Sequence, residues 1–292
     1  MIHTMPATPS LTARAVLATL MLAAAVTGPA TAEPQKPTRI MSMNLCADLL
    51  LLQLAPKDRI ASVSFLAHDA APAVGPGLDG GVAINRGTAE DVAVQRPDLI
   101  LVGGYSTPAV RRLADRLGAP VVEVKQAASF DEIRTVVRDV GRAVGEPARA
   151  EALVAHMDAS LARAAAGRPA KPVEVVAVDG GSVPGKGTLT NAIIEAAGAV
   201  NVGARLPDQR YGSFDLEQLL LARPHALLYS AAQKAPSLRD DQDRHPALTR
   251  LYRDRRLTYP GPLYACGLPQ SADAVLALQR ALSALPPGRP GP

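Results

Sequence analysis

The loop from Gly180 to Gly187 comes nearest to a chemical motif in this sequence. Gly180, Gly185 and Lys186 stand where a phosphate-cradling loop places its two glycines and its lysine, but the hydroxyl that should follow to hold magnesium is Gly187. No aspartate ends the next apolar strand either, where Ser230 stands. The loop therefore reads as flexible backbone at the carboxyl end of a strand, the place where open α/β sheets bind ligands. A serine-hydrolase elbow, G-x-S-x-G, is absent from the chain. His3, His68, His156, His225 and His245 fall in unrelated segments, which argues against a three-imidazole zinc or manganese site. No pair of carboxylates is spaced as acid and base. The expectation is a protein without catalytic activity, cofactor or metal site.

What remains is a set of polar residues that each follow a strand. Asn44, Arg86, Tyr105 and Ser106 lie in the first half, and Lys186, Thr188, Arg210, Tyr211, Gln233 and Tyr264 in the second. Arginine, lysine and tyrosine converging on one cleft would suit an anionic or oxygen-rich ligand.

The elements that must position them come in two copies. Glu90-Asp91-Val92-Ala93-Val94-Gln95-Arg96-Pro97 and Glu217-Gln218-Leu219-Leu220-Leu221-Ala222-Arg223-Pro224 share Glu, Arg and Pro at one constant offset, and each runs into an apolar segment, Asp98 to Val102 and His225 to Tyr229. Each copy reads as a short helix opened by a glutamate at the positive end of its dipole. Proline ends it, and a strand buried on both faces follows. A unit of this kind used twice predicts two similar α/β halves. Between them, Ala148 to Ala166 has no breaker and is rich in strong helix formers. Pro147 can start that helix and Gly167 can end it, making a strut about 30 Å long. Further strands are expected at 39–43, 59–63, 121–124, 173–178 and 256–259. Further helices are expected from an Asn44 cap to Leu54, at 108–117, at 189–197, at 246–251, at 271–285, and after Ser129, where Glu132 completes capping-box spacing.

The N-terminus reads as a secretory leader. Arg14 precedes an apolar run to Val26, and Ala30-Thr31-Ala32 gives a small-residue cleavage pattern. Loss of Arg14 leaves the charge close to balance, and no basic arm or aromatic-studded basic face is present, so nucleic acid is a poor partner. Cys46 and Cys266 are the only cysteines. An exported pair can bridge or stay free, and both readings remain open.

In order of elements and in loop sequence, the chain resembles the periplasmic substrate-binding proteins of ABC importers for iron chelates, haem and cobalamin, the helical-backbone group called class III. The residues that carry this are Arg39 to Cys46, Glu90 to Val102, Gly180 to Thr188 followed by Gly198 and Asn201, and Cys266-Gly267-Leu268-Pro269. The resemblance implies two Rossmann-like lobes joined by one long helix, with the ligand cleft between them and only small closure. The organisation expected is a signal peptide at 1–32, an N-terminal lobe at 33–145, a connecting helix at 146–168 and a C-terminal lobe at 169–292. It also implies a monomer that carries a small-molecule metal chelate in the periplasm and docks on an inner-membrane ABC permease through both lobes, with Glu90 and Glu217 as the docking carboxylates. Without tryptophan, an iron chelate of the siderophore type is expected before cobalamin. An exported ligand sensor and a carrier of a free metal ion are the alternatives.

Overall fold

A computed structural model describes residues 1–3, 36–104, 108–178, 182–206, 210–231 and 245–290. The expected signal peptide falls largely outside these residues, as do Tyr105, Ser106 and Gln233. The chain divides into the units Met1–Lys36 and Pro37–Pro292, and everything below concerns the second. Among the described residues no helix is long and apolar enough to cross a membrane.

The first half alternates strands and helices: β1 (Ile40–Ser42), α1 (Leu45–Leu54), β2 (Ile60–Ser64), α2 (Ala67–Ala70), β3 (Ile84–Asn85), α3 (Ala89–Gln95), β4 (Leu99–Val102), α4 (Pro108–Leu117), β5 (Val121–Glu123) and α5 (Phe130–Ala143). Its strands form one parallel sheet in the order β3-β2-β1-β4-β5. After α6 (Pro147–Ala166) the pattern restarts with β6 (Glu174–Val178), β7 (Val183–Pro184), α7 (Leu189–Ala196), β8 (Val200–Asn201), β9 (Tyr211–Gly212), α8 (Leu216–Ala222), β10 (Ala226–Ala231), α9 (Pro246–Leu251), β11 (Arg256–Pro260), α10 (Gly261–Ala265) and α11 (Ser271–Ser283). The second parallel sheet runs β11-β10-β6-β8. This is the two-lobed α/β fold joined by a long helix that the sequence leads one to expect. Symmetry breaks at the strand that precedes the doublet helix in each lobe: β3 joins its sheet, whereas β9 pairs antiparallel with β7 outside the sheet.

The doublet is a repetition in structure as well. Thr88 and Asp91 form a capping box on α3, and Asp215 and Gln218 form one on α8, at equivalent positions. Both helices end on an arginine in the left-handed region, Arg96 at φ 46° and Arg223 at φ 43°. The proline after each does push it out of the right-handed α region, but into the left-handed well rather than the extended backbone that precedes most prolines.

The strut α6 touches both lobes. It packs on α5, where a Cβ on Gly141 would lie 2.4 Å from the Ala150 side chain, so only glycine permits that approach. Arg134 to Asp158 at 2.6 Å and Arg138 to Glu151 at 2.8 Å tie the same pair. On its other side α6 meets α11, where Asp273 accepts from Ser160 at 2.6 Å and lies 3.0 Å from His156 Nε2. One hydrophobic core runs through both lobes, from Ile40 and the nearly all-buried α1 to Val175, Ile193, Val275 and Leu282. Cys46 and Cys266 are bridged, which resolves the two readings of the thiols. The helices α2 and α10 were not anticipated. Glu132 also departs from the expected box, because its carboxylate accepts from the Ala128 N–H rather than from Ser129.

Candidate functional site

Several contacts locate the seam between the lobes. Cys46 stands just past the carboxyl end of β1, and its disulfide partner Cys266 just past α10, which follows β11. Gln126, beyond the end of β5, donates from Nε2 to the Ala265 carbonyl at 3.0 Å. A Cβ on Gly267, at φ +62°, would meet the Ala127 side chain at 2.7 Å, so the lobes close up here against bare backbone. Gln270 Nε2 donates to Gln53 Oε1 at 2.6 Å. The loops leaving the carboxyl ends of the two sheets therefore share one seam, where a sheet of this kind binds ligands.

On the first lobe, Asn44 caps α1 by accepting from the Cys46 and Ala47 amides, so its Oδ1 is already engaged. Its side chain lies against Gly103, where a Cβ would come 2.5 Å from Nδ2. Arg86 is exposed at the end of β3, and its N–H donates to Asp91 at 3.0 Å. Burial pushes the Asp91 carboxyl upward, but the N–H groups of Thr88 and Arg86 outweigh it and hold the pKa below the ordinary carboxylate value. Beside Arg86, Phe65 leaves the end of β2 with its N–H on the Asn85 carbonyl and its side chain 56 % exposed. Phe65 and its exposed neighbour Leu66 are absent from the residues expected of the site. A strand-end aromatic is the signal that could have found Phe65.

A buried polar layer supports this face. Asn85 Nδ2 donates to the Ser42 carbonyl and to Ser62 Oγ, Ser62 donates to Gln95, and Ser64 donates to Asp48. Burial raises the Asp48 pKa, and the bonds from Ser64 offset part of that rise.

On the second lobe the β7–β9 ribbon assembles the predicted cations. Pro184 stands opposite Tyr211, the Gly185 N–H donates to the Arg210 carbonyl at 2.7 Å, and Arg210 Nε donates to the Gly187 carbonyl at 2.9 Å. Lys186 and Arg210 are exposed, and Tyr211 is 57 % exposed. Asn201 positions the ribbon by donating to the Pro184 carbonyl and to Asn191 Oδ1. Thr188 is a buried helix cap that donates to the Gly185 carbonyl, so it shapes the loop and does not face solvent. Tyr264 is buried too, with its ring centroid 4.1 Å from that of Tyr259. It lines a cavity of about 270 Å³ between β11 and α11 together with Leu257, Leu263 and Asp273. The structure thus brings Lys186, Arg210 and Tyr211 together on one lobe, and Arg86 with Phe65 on the other. Glu90 and Glu217 are exposed in the first turns of α3 and α8. Among the described residues no cluster of three or more His, Cys, Asp or Glu could hold a metal ion.

A family model described as periplasmic binding protein matches residues 45–251. No curated protein matches the chain. Among solved structures, the periplasmic heme binding protein of Pseudomonas aeruginosa is similar at 20 % identity and a TM-score of 0.67, covering 88 % of this chain and 99 % of that one. The periplasmic vitamin B12 binding protein of Vibrio cholerae matches at 18 % identity and a TM-score of 0.61, over 85 % and 97 % of the two chains. The molybdate periplasmic binding protein of Haemophilus influenzae matches at 18 % and 0.67, over 86 % and 87 %. At these identities the likeness is one of fold.

Proposed function

Since the chain belongs to the periplasmic binding protein family, we propose that it is the non-catalytic, monomeric solute-binding component of an ABC importer. It captures an anionic metal chelate at the interlobe seam and passes it to a membrane permease. The leader at 1–32 is cleaved near Ala32, and the lobes 33–145 and 169–292, joined by the connecting helix, hold the ligand from two sides with only small closure.

The observation that carries the ligand class is an exposed ring beside exposed cations on each lobe: Phe65 with Arg86, and Tyr211 with Lys186 and Arg210. A ligand with flat or apolar faces and peripheral oxygen anions matches both kinds of group at once. Ferric siderophores fit this first. Haem is the second reading, favoured by Tyr211, an exposed side chain that would serve as an axial ligand on the same ribbon as Lys186 and Arg210, whose cations would take carboxylates. Glu90 and Glu217, exposed at equivalent positions of the two lobes, dock on basic groups of the permease.

The test is a thermal-shift series on residues 33–292 with a ferric hydroxamate, a ferric catecholate, haem and cyanocobalamin. A ligand at a hundredfold its dissociation constant adds about 2.7 kcal/mol of stability. A rise with one chelate, lost in a Lys186→Glu, Arg210→Glu variant that stays folded, is the expected result. If haem is the one, Tyr211→Phe should also change the visible spectrum of the complex. No rise with any chelate would remove this ligand class.

A further inference from the structure

Two large aliphatic side chains have no role in the fold: Val94 and Leu221 are each 83 % exposed. They occupy the same position of the doublet, four residues after Glu90 and Glu217, so each lies beside its glutamate on one helix face. The two helices are fixed alike. Each opens on a capping box and closes on a left-handed arginine, and each has its last-turn carbonyl held by an arginine from a distant segment: Arg39 to the Gln95 carbonyl at 2.7 Å, Arg289 to the Ala222 carbonyl at 3.4 Å.

A single exposed aliphatic needs no explanation. The same feature displayed twice, beside the same charge, on helices anchored the same way, calls for a partner with two equivalent surfaces. A basic partner complements this pattern, because both glutamates are exposed in the first turns of their helices. A second copy of this chain would set acidic helix against acidic helix, and an anionic lipid surface would repel both.

We propose that Val94 and Leu221 are paired apolar anchors for the permease, each seated in a hollow beside the basic group that receives Glu90 or Glu217. This rests on the docking reading above and adds to it the part of the contact that salt does not screen.

The test is binding of the fluorescently labelled mature chain to right-side-out inner-membrane vesicles, with and without the permease, at low and high salt. Val94→Ser and Leu221→Ser should each weaken docking to permease-containing vesicles by roughly tenfold, and by similar factors that multiply in the double variant. The salt dependence should persist, and the melting temperature should not fall. Glu90→Arg with Glu217→Arg should abolish docking. Wild-type docking by the serine double variant, while the arginine pair fails, would overturn the anchors and leave the docking reading standing. Unimpaired docking by the arginine pair, or no docking by the wild type, would overturn both. A drop in melting temperature in the serine variants would show these side chains packing within the fold, and a wild-type dimer lost in those variants would show self-association; either result would overturn the proposal.

Discussion

Asp98 and His225 occupy the same position in the two lobes and make the same bond with different chemistry. Asp98 accepts from the Arg39 N–H at 2.9 Å, from the Thr38 N–H at 2.7 Å and from its hydroxyl at 2.8 Å. His225 Nδ1 accepts from the Glu174 N–H at 3.1 Å, which requires that nitrogen to be unprotonated. Burial lowers the His225 pKa, and the Arg289 guanidinium lowers it further. The unfolded chain therefore takes up this proton first as pH falls. The stabilisation is complete above the ordinary histidine value of 6.5 and is lost as pH drops below it. Glu174 is held below its ordinary value first by the bond from Arg205, and its contribution fades only below about pH 4.5. Wild-type melting temperature should thus sag as pH falls below the ordinary histidine value of 6.5, and His225→Asn, which accepts without titrating, should flatten that window alone. A sag of equal depth in the asparagine variant would locate it elsewhere. In the sequence His225 reads as an ordinary strand-end residue, because a shared acceptor role emerges only when both strand starts are superposed. Lys186, Arg210 and Tyr211 were legible as polar loop residues, although Arg210 precedes β9 and Tyr211 opens it rather than following a strand. Their adjacency was not, since two-residue strands leave no periodicity to read. The burial of Thr188 and Tyr264 was hidden for a related reason: cap and core roles depend on what packs over them.

At the scale of elements, the doublet shows how far sequence pattern reaches. Helix, proline and buried strand were all legible in α3–β4 and α8–β10, and so were the strut and its end points, because each rests on local rules of capping and breaking. The left-handed ends were not, since the general rule for residues before proline points to extended backbone. That conformation has a measurable consequence. A left-handed residue other than glycine carries strain of about 1 kcal/mol or more, so Arg96→Gly should stabilise the protein, by up to about 1 kcal/mol. Arg223→Gly should gain less, because Arg223 also donates to the Pro290 carbonyl at 2.7 Å and glycine would lose that bond. Chemical denaturation of the two variants would check the order, and a larger gain at position 223 would contradict it. The caps offer a matched pair. Thr88→Ala and Asp215→Ala should each destabilise by about 1 kcal/mol. A difference well above that between them would mean that α3 and α8 are not anchored alike. The detached β9 could not have been foreseen, because nothing local in Tyr211-Gly212 says that it pairs with Val183-Pro184 rather than joining the sheet.

For the whole molecule, the question is whether two lobes behave as two domains. Three kinds of tie say that they do not. The hydrophobic core is continuous across the lobes, α6 is bonded to α5 on one side and α11 on the other, and the Cys46–Cys266 disulfide closes the seam. The core and the strut pack without the disulfide, so breaking it should weaken the assembly without uncoupling its halves. The bridge spans 220 residues, and loop-closure entropy for so long a span sets a ceiling of about 5 kcal/mol, with about 2–4 kcal/mol typical of measured bridges. For a chain of this size that corresponds to a fall in melting temperature of roughly 5–15 °C on reduction. Calorimetry of the Cys46→Ser, Cys266→Ser variant should therefore show one transition at lower temperature, with the calorimetric and van't Hoff enthalpies still equal. Two transitions would mean that the disulfide alone makes the lobes cooperative, and that the shared core is too weak to do so. A single transition, by contrast, would place the coupling in the packed helices α1, α6 and α11. The lobes would then be held at a nearly fixed angle with the disulfide gone, and ligand capture would rest on loop rearrangement at the strand ends rather than on a wide hinge.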